Sequence, residues 1–287
     1  MRKICLIVTS GANFSVIRRL FNSLNNQSVN VIIYICFVNQ NECIFDGFDF
    51  NENIKLDVIE MNEIIPLSVA RNMAISHVNL LDFDVVAFPD DDCWYDDDLI
   101  KKILYHFDYN LSFNVICTNV IDPSNNKTYG GRPTGTITSI SNRNIFSYPI
   151  SVGIFIRINN KNVKQIFFDE SLGAGTDIGS GEETELIYRF IREKERCIYI
   201  GNIYVYHPVV DGDYRSEDII KYYKYAVGFG HLTRRMVNKK DYVVMFHFSY
   251  IAFRTLIGIC VSLNHDINRK VYLNRFKGMF SGFLRAK

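Results

Sequence analysis

Two hydrophobic rhythms alternate along the first half of the chain. Near-continuous apolar, β-rich runs at residues 4–9, 31–38, 54–60, 84–88 and 114–120 have the length and composition of buried strands. Between them, residues 14–26, 67–78 and 97–107 space their apolar positions as helices do. Strand alternating with helix predicts an α/β fold with a mostly parallel, doubly wound sheet. In such sheets ligands gather beyond the carboxyl ends of the strands. Three of those ends carry polar residues: Thr9-Ser10-Gly11, Val38-Asn39-Gln40, and Pro89 followed by Asp90-Asp91-Asp92.

The texture then changes. Residues 118–149 are rich in Asn, Ser, Thr, Gly and Pro and read as a long loop region. A strand over 150–156, a glycine-rich stretch over 173–181, a helix over 182–195 and a strand over 197–206 follow, closing at His207-Pro208. The pattern divides the chain into a body, residues 1–218, and a helical extension, residues 219–287.

Composition narrows the picture. With 48% hydrophobic and 22% charged residues among 287, the chain has the apolar content of a folded protein and can bury one large core, or one core with a smaller appendage. Seven scattered cysteines, Cys5, Cys36, Cys43, Cys93, Cys117, Cys197 and Cys260, include no C-x-x-C pair and read as reduced cytosolic thiols. The apolar run after Met1-Arg2-Lys3 is too short for a secretory signal and reads as a first strand.

The formal net charge of +1 hides a polarity: residues 220–287 hold 13 Lys/Arg against 2 Asp/Glu, and the preceding part is correspondingly acidic. Residues 243–263 are strongly apolar but are interrupted by His247 and Arg254, which argues against a transmembrane span. Further on, Tyr272, Phe276, Met279, Phe280 and Phe283 recur at helical spacing among Arg269, Lys270, Arg275, Lys277, Arg285 and Lys287. Such a helix either lies on an anionic membrane interface or packs on the body with a solvated basic face. No nucleic-acid partner is expected.

The strongest chemical signal is the run Asp90-Asp91-Asp92 at the end of an apolar strand. Mutual repulsion makes three adjacent carboxylates costly without a cation, and Mg²⁺ or Mn²⁺ prefers oxygen ligands that it shares with substrate phosphates. Asp96, Asp97 and Asp98 are better read as the acidic start of a helix. A second signal is Gly181-Glu182-Glu183 opening a helix, where one carboxylate can serve as general base or both can merely favour the helix dipole. His207 at a strand end, Arg71 and Asn72 on a helix, and the aromatic pair Trp94-Tyr95 complete the candidates.

Taken in order, these pieces resemble the family-2 glycosyltransferases of GT-A fold. The matching segments are Leu67-Ser68-Val69-Ala70-Arg71-Asn72, the Asp90–Asp92 cluster, Gly181-Glu182-Glu183, His207, and Tyr225-Ala226-Val227-Gly228-Phe229-Gly230. Together they span most of the chain. The resemblance implies a Rossmann-like mixed sheet flanked by helices over 1–218, with a basic helical extension. It also implies an inverting, metal-dependent sugar transferase. Asp92, His207 and Asp90 would hold Mn²⁺ or Mg²⁺, and Glu183 would be the catalytic base. Thr9, Ser10, Asn39, Arg71, Asp90 and Asp91 would face the nucleotide sugar, UDP- or dTDP-linked, and Trp94 and Glu182 the acceptor or sugar pocket.

The implied acceptor is a saccharide or lipid-linked oligosaccharide of surface-polysaccharide synthesis (O-antigen, lipopolysaccharide or capsule), met by a peripheral protein on the inner face of the cell membrane. Two segments depart from the family pattern: Val38-Asn39-Gln40-Asn41 stands where an Asp-rich loop is usual, and Thr9-Ser10-Gly11-Ala12-Asn13 replaces Pro-x-Tyr-Asn. Competing readings are a nucleotidyltransferase, which would want a lysine-bearing glycine-rich first loop, and a calcium-dependent carbohydrate-binding scaffold.

Overall fold

In the computed structural model, which describes residues 1–41, 47–209 and 214–286, the chain begins with β1 (Lys3–Ser10), α1 (Phe14–Asn25), β2 (Ile32–Asn39), β3 (Ile54–Glu60), α2 (Leu67–His77) and β4 (Val85–Ala87). It continues with β5 (Trp94–Tyr95), α3 (Leu99–Tyr109), β6 (Phe113–Asp122), β7 (Lys127–Thr128), β8 (Ile137–Ile140) and β9 (Ile154–Arg157). Then come α4 (Glu182–Arg192), β10 (Arg196–Tyr206), α5 (Asp218–Asn238), α6 (Val244–Val261) and α7 (Asp266–Arg285). Cys43 and Lys287 lie outside the described residues; the six described cysteines are free, five of them buried and Cys260 exposed.

All ten strands form one mixed sheet. Its central order is β3-β2-β1-β4-β9-β6-β10-β5, with β7 on β6 and β8 on β10. Strands β1 to β4 are mutually parallel, β9 runs antiparallel to β4 and β6, and β10 returns parallel to β6. Strand β1 shows why the first half reads as unbroken apolar runs: both of its faces are covered. Ile4, Leu6 and Val8 pack with α1 and α3, whereas Cys5 and Ile7 pack with α2 and α4. The result is three layers, helix on sheet on helix, with two apolar cores.

Three boundaries differ from the sequence pattern. The strand expected over 150–156 is β9, preceded by a 3₁₀ turn at Ser151–Gly153. The turn is tight because Gly153 lies under Thr118, whose Oγ1 would be 2.8 Å from an added Cβ. Helix α3 starts at Leu99, because Asp96 first accepts a hydrogen bond from the Asp98 amide in a turn. The polar stretch 118–149 holds the end of β6 and the short strands β7 and β8.

The C-terminal helices attach by close backbone contact. Leu232 and Met236 of α5 join the body core. Glycines make the seam between α5 and α7: an added Cβ would lie 2.0 Å from the Met279 carbonyl at Gly230 and 2.0 Å from the Val227 carbonyl at Gly282. Of the two readings of the aromatic row, a membrane face or a packing face, its contacts favour packing for most of its residues, with Phe280 still 38% exposed. Met279 is fully buried, Phe283 and Phe280 meet Phe248, and Tyr272 covers Gly258. Helix α6, by contrast, is long and apolar enough to cross a membrane by length and composition, and only 17% of it is buried.

Candidate active site

The site begins at the point where the strand order reverses. Strand β1 leads on to β2 and β3 on one side, and β4 flanks it on the other. Their carboxyl ends remain in register through a bridge between Thr9 and Asp90. Such a switch point is where open α/β sheets receive ligands. The three aspartates delivered there have three different counter-groups. Ser10 Oγ donates to Asp91. Arg71 Nη2 donates to Asp90 Oδ1 at 2.8 Å. His207 Nε2 stands 3.1 Å from Asp92 Oδ1. The repulsion expected from the sequence is thus partly relieved by the protein's own groups.

Sheet register explains how His207 arrives. Strand β10 pairs first with β8, then shifts register between Ile200 and Tyr204, and its last residues pair with β5 as Val205 with Tyr95 and Tyr206 with Trp94. The shift falls at Gly201, where a Cβ would lie 2.5 Å from the Pro133 carbonyl. Because β5 follows the aspartates directly, a strand ending opposite Trp94 delivers its next residue, His207, to Asp92.

Burial works against charge on both partners, yet their contact prevails. The hydrogen bond to His207 holds the Asp92 carboxyl below its ordinary range, and Asp92 raises the imidazole above its own. Burial dominates at Asp90 and Asp91 and raises both carboxyls, against Arg71 in one case and Ser10 in the other.

Glu182 and Glu183 open α4. Gly181 precedes them at φ 96°, a left-handed conformation suited to glycine. Glu182 is buried and Glu183 half-buried. Gly173, at φ 98°, lets the preceding loop pass within contact of Glu182: an added Cβ there would be 3.1 Å from its carboxyl carbon. Burial, reinforced by Glu183 and Asp90 and opposed by Arg71, raises the Glu182 carboxyl to about 8. Arg71 Nη1 lies 3.7 Å from Glu182 Oε1, beyond hydrogen-bond reach, and is a buried N–H without a partner among the described residues. One buried guanidinium therefore stands between the aspartate loop and the start of α4.

The geometry gives three of the expected residues specific surroundings. Arg71 is 1% exposed and paired with Asp90 and the Phe168 ring, so it braces the loop from within. The Asn39 amide, 1% exposed, donates to Glu60 Oε2 at 2.8 Å. Trp94 and Glu182 do not share a pocket. Trp94 stacks under Arg19 at 4.3 Å and beside Tyr206, in a cleft of about 550 Å³ that also contains Asn22, Asp97 and Lys102.

Two residues gain weight from the structure. Tyr129 sets its ring edge-to-face on His207 at 6.1 Å, and burial, with the charge of Glu183 adding to it, raises the Tyr129 hydroxyl. Arg132 fixes that loop by donating to the carbonyls of Tyr129, Tyr148 and Pro149. Their glycine-rich setting marked a loop in the sequence, but nothing there showed that it lies over the histidine.

The donor set suits a divalent ion. Asp92 Oδ1 and His207 Nε2 converge, and His207 Nδ1 lies 2.6 Å from the Pro208 carbonyl, a contact that fixes the tautomer with Nε2 facing Asp92. Asp90 already gives one oxygen to Arg71, and among the described residues no group of three His, Cys, Asp or Glu is poised for a metal. An ion here would need further oxygens, as from a substrate diphosphate.

The sheet, its switch point and the flanking helices define the chain as a protein of GT-A fold. No protein-family model matches it, and no curated protein does. Solved structures similar to it include the mannosyltransferase PcManGT from Pyrobaculum calidifontis in complex with GDP-Man and Mn²⁺, with a TM-score of 0.63 and 11% identity over 99% of this chain and 88% of that one. S. aureus TarS 1-349 in complex with UDP-GlcNAc gives 0.53 and 15% over 100% and 93%. S. aureus TarS gives 0.54 and 16% over 79% of this chain, which spans only 39% of that longer one. At such identities the likeness establishes the fold.

Proposed function

We propose that the chain transfers a sugar from a nucleoside diphosphate donor, UDP- or dTDP-linked, to a hydroxyl of a saccharide or lipid-linked oligosaccharide, with inversion at the anomeric carbon. The observation that carries this reading is that, on a GT-A fold, Arg71 links the aspartate loop holding the Asp92–His207 pair to Glu182, whose neighbour is the half-buried Glu183. In the proposed displacement the acceptor oxygen bonds to the anomeric carbon as the bond from that carbon to the diphosphate breaks. The diphosphate leaves with the electron pair, and the hydroxyl proton passes to Glu183.

Glu182 holds the neighbouring position as a buried group whose carboxyl burial raises, so the half-buried Glu183 is assigned the acceptor proton. Mn²⁺ or Mg²⁺ held by Asp92 and His207 would supply charge neutralisation to the leaving diphosphate. The donor complexes of PcManGT and TarS support the donor class. Free thiols and the basic C-terminal segment support work at the inner membrane face, on a surface polysaccharide such as O-antigen or capsule.

The test is a thermal-shift screen of UDP-, dTDP- and GDP-sugars with and without Mn²⁺, followed by nucleoside diphosphate release and NMR of the product anomer. A ligand that binds only the folded state raises Tm by mass action. Stabilisation by one donor class, dependent on Mn²⁺, with an inverted product is expected. No stabilisation by any donor, or turnover undiminished in chelator, would overturn the donor class or the metal respectively.

A further inference from the structure

Helix α6 exposes apolar side chains on one continuous face. Phe246 is 81% exposed, Tyr250 56%, Phe253 63%, Ile257 46% and Val261 77%. Their spacing of three and four residues places all five on a single helical stripe. The opposite side is occupied: Val244 enters the body core, Phe248 is buried against Phe229, Phe280 and Phe283, and Gly258 lies under Tyr272. Helix α6 is thus fixed to the molecule along one side and apolar along the other. Rows of large side chains this exposed mark an interaction surface.

The charges around it select the occupant. Arg254 lies beside the stripe, its guanidinium 5.6 Å over the Tyr250 ring. Arg143 shares a cleft of about 430 Å³ with Val243, Phe246, His247 and Tyr250. Residues 220–287 carry 13 Lys/Arg against only Asp241 and Asp266. Both of those carboxylates are engaged, Asp241 with Arg192 and Tyr188, and Asp266 with Lys270 at 2.6 Å. Arg254 and Arg143, the cations placed beside the stripe, have no carboxylate partner among the described residues. An apolar stripe bordered by uncompensated cations complements a surface that presents hydrocarbon beneath negative phosphates.

We infer that the stripe of α6 is a membrane-docking surface that lies in the plane of an anionic bilayer, with Phe246, Phe253 and Ile257 inserted among the acyl chains and Arg143 and Arg254 at the lipid phosphates. This deepens the inner-membrane setting proposed above and rests on that reading, placing the contact on α6. In-plane docking, as opposed to spanning, follows from the buried side of α6: a span would have to shed its contacts with α5 and α7 and carry Arg254 into the hydrocarbon.

The test is flotation of the full chain with vesicles of phosphatidylcholine and phosphatidylglycerol in equal parts, beside phosphatidylcholine alone. Binding to the anionic vesicles, weakened by salt, is expected. The double substitution Phe253→Ser with Ile257→Ser should lower partitioning about tenfold or more, since deep insertion of each side chain contributes to affinity. Both side chains are exposed, so Tm and nucleotide-sugar stabilisation should be unchanged, and the latter tests the transfer reading separately. Failure of the full chain to float with anionic vesicles at low salt would overturn the proposal, as would unimpaired flotation of the double variant. A dimer in solution abolished by the same substitutions would overturn it in favour of a second copy as occupant. Retention through an alkaline carbonate wash would overturn in-plane docking in favour of a span.

Discussion

His207 Nε2 lies 3.1 Å from Asp92 Oδ1, and this contact joins the end of β10 to the acidic loop after β4. In the metal-free protein it is an ion pair whose stabilisation has a defined pH window. The lowered Asp92 carboxyl loses its contribution as pH falls through its folded pKa, and the raised His207 loses its own as pH rises through its folded pKa. A metal competes with the His207 proton, so Mn²⁺ affinity should climb as pH passes from below to above the imidazole pKa. Titration of Mn²⁺ by calorimetry across that range checks the sign. Asp92→Ala and His207→Ala should each weaken Mn²⁺ by more than the roughly ten- to hundredfold that loss of an outer hydrogen-bond partner costs. Unchanged affinity in both would place the metal elsewhere.

The adjacent glutamates make separable predictions. Glu183→Gln keeps the size of the side chain but cannot accept a proton, so single-turnover transfer should fall by roughly a hundredfold or more while donor affinity is retained. Glu182→Gln replaces a buried group whose carboxyl burial raises, so its single-turnover rate should change much less. The reverse result would move the base to Glu182.

The glycine seam predicts a stability effect away from the site. An alanine at Gly282 would place its Cβ 2.0 Å from the Val227 carbonyl, and backbone cannot yield as a flexible side chain does. Gly282→Ala should therefore destabilise by about 1–3 kcal/mol, the usual cost of overpacking, although alanine favours a helix more than glycine does. Urea denaturation would register it, and a neutral or stabilising result would mean that α7 does not hold this close approach to α5.

Much of this architecture is legible in the chain. Parallel strands covered on both faces must be apolar throughout, so β1 and β2 stand out, and the aspartates at the end of β4 follow from the same logic. What could not be read depends on partners distant in sequence. Burial of Arg71 arises from Phe168 and Asp90 closing over it; an arginine on an apparently ordinary helix carries no mark of that. The meeting of Asp92 with His207 depends on a register shift at Gly201. Trp94 was misplaced because its position beside the aspartates does not reveal that its ring turns toward α1. Strand β8 is short and polar, and only its pairing with β10 makes it a strand.

The last prediction concerns Glu182 as a determinant of pH-dependent stability. Burial, aided by Glu183 and Asp90, raises its carboxyl from 4.5 to about 8 in the fold. Between those values the folded chain binds more protons at this position than the unfolded chain, so unfolding releases a proton and stability falls as pH rises. The contribution is fully present below about 4.5 and is lost through about 8. Glu182→Gln removes the titration while retaining a neutral side chain of the same length, so its Tm should decline less steeply than that of the parent across this interval. The gap between the two should close toward the acidic end and widen toward pH 8. Arg71 opposes the shift, and a second variant isolates that opposition. With Arg71→Met the decline attributable to Glu182 should extend to higher pH, because Arg71, the buried cation that opposes the shift, is gone. Removing that cation also leaves Asp90 without its ion-pair partner, so the variant is compared with its own Arg71→Met, Glu182→Gln double. Parallel Tm profiles for the parent and Glu182→Gln from pH 4.5 to 8 would show that Glu182 stays ionised in the fold, held by Arg71 after all.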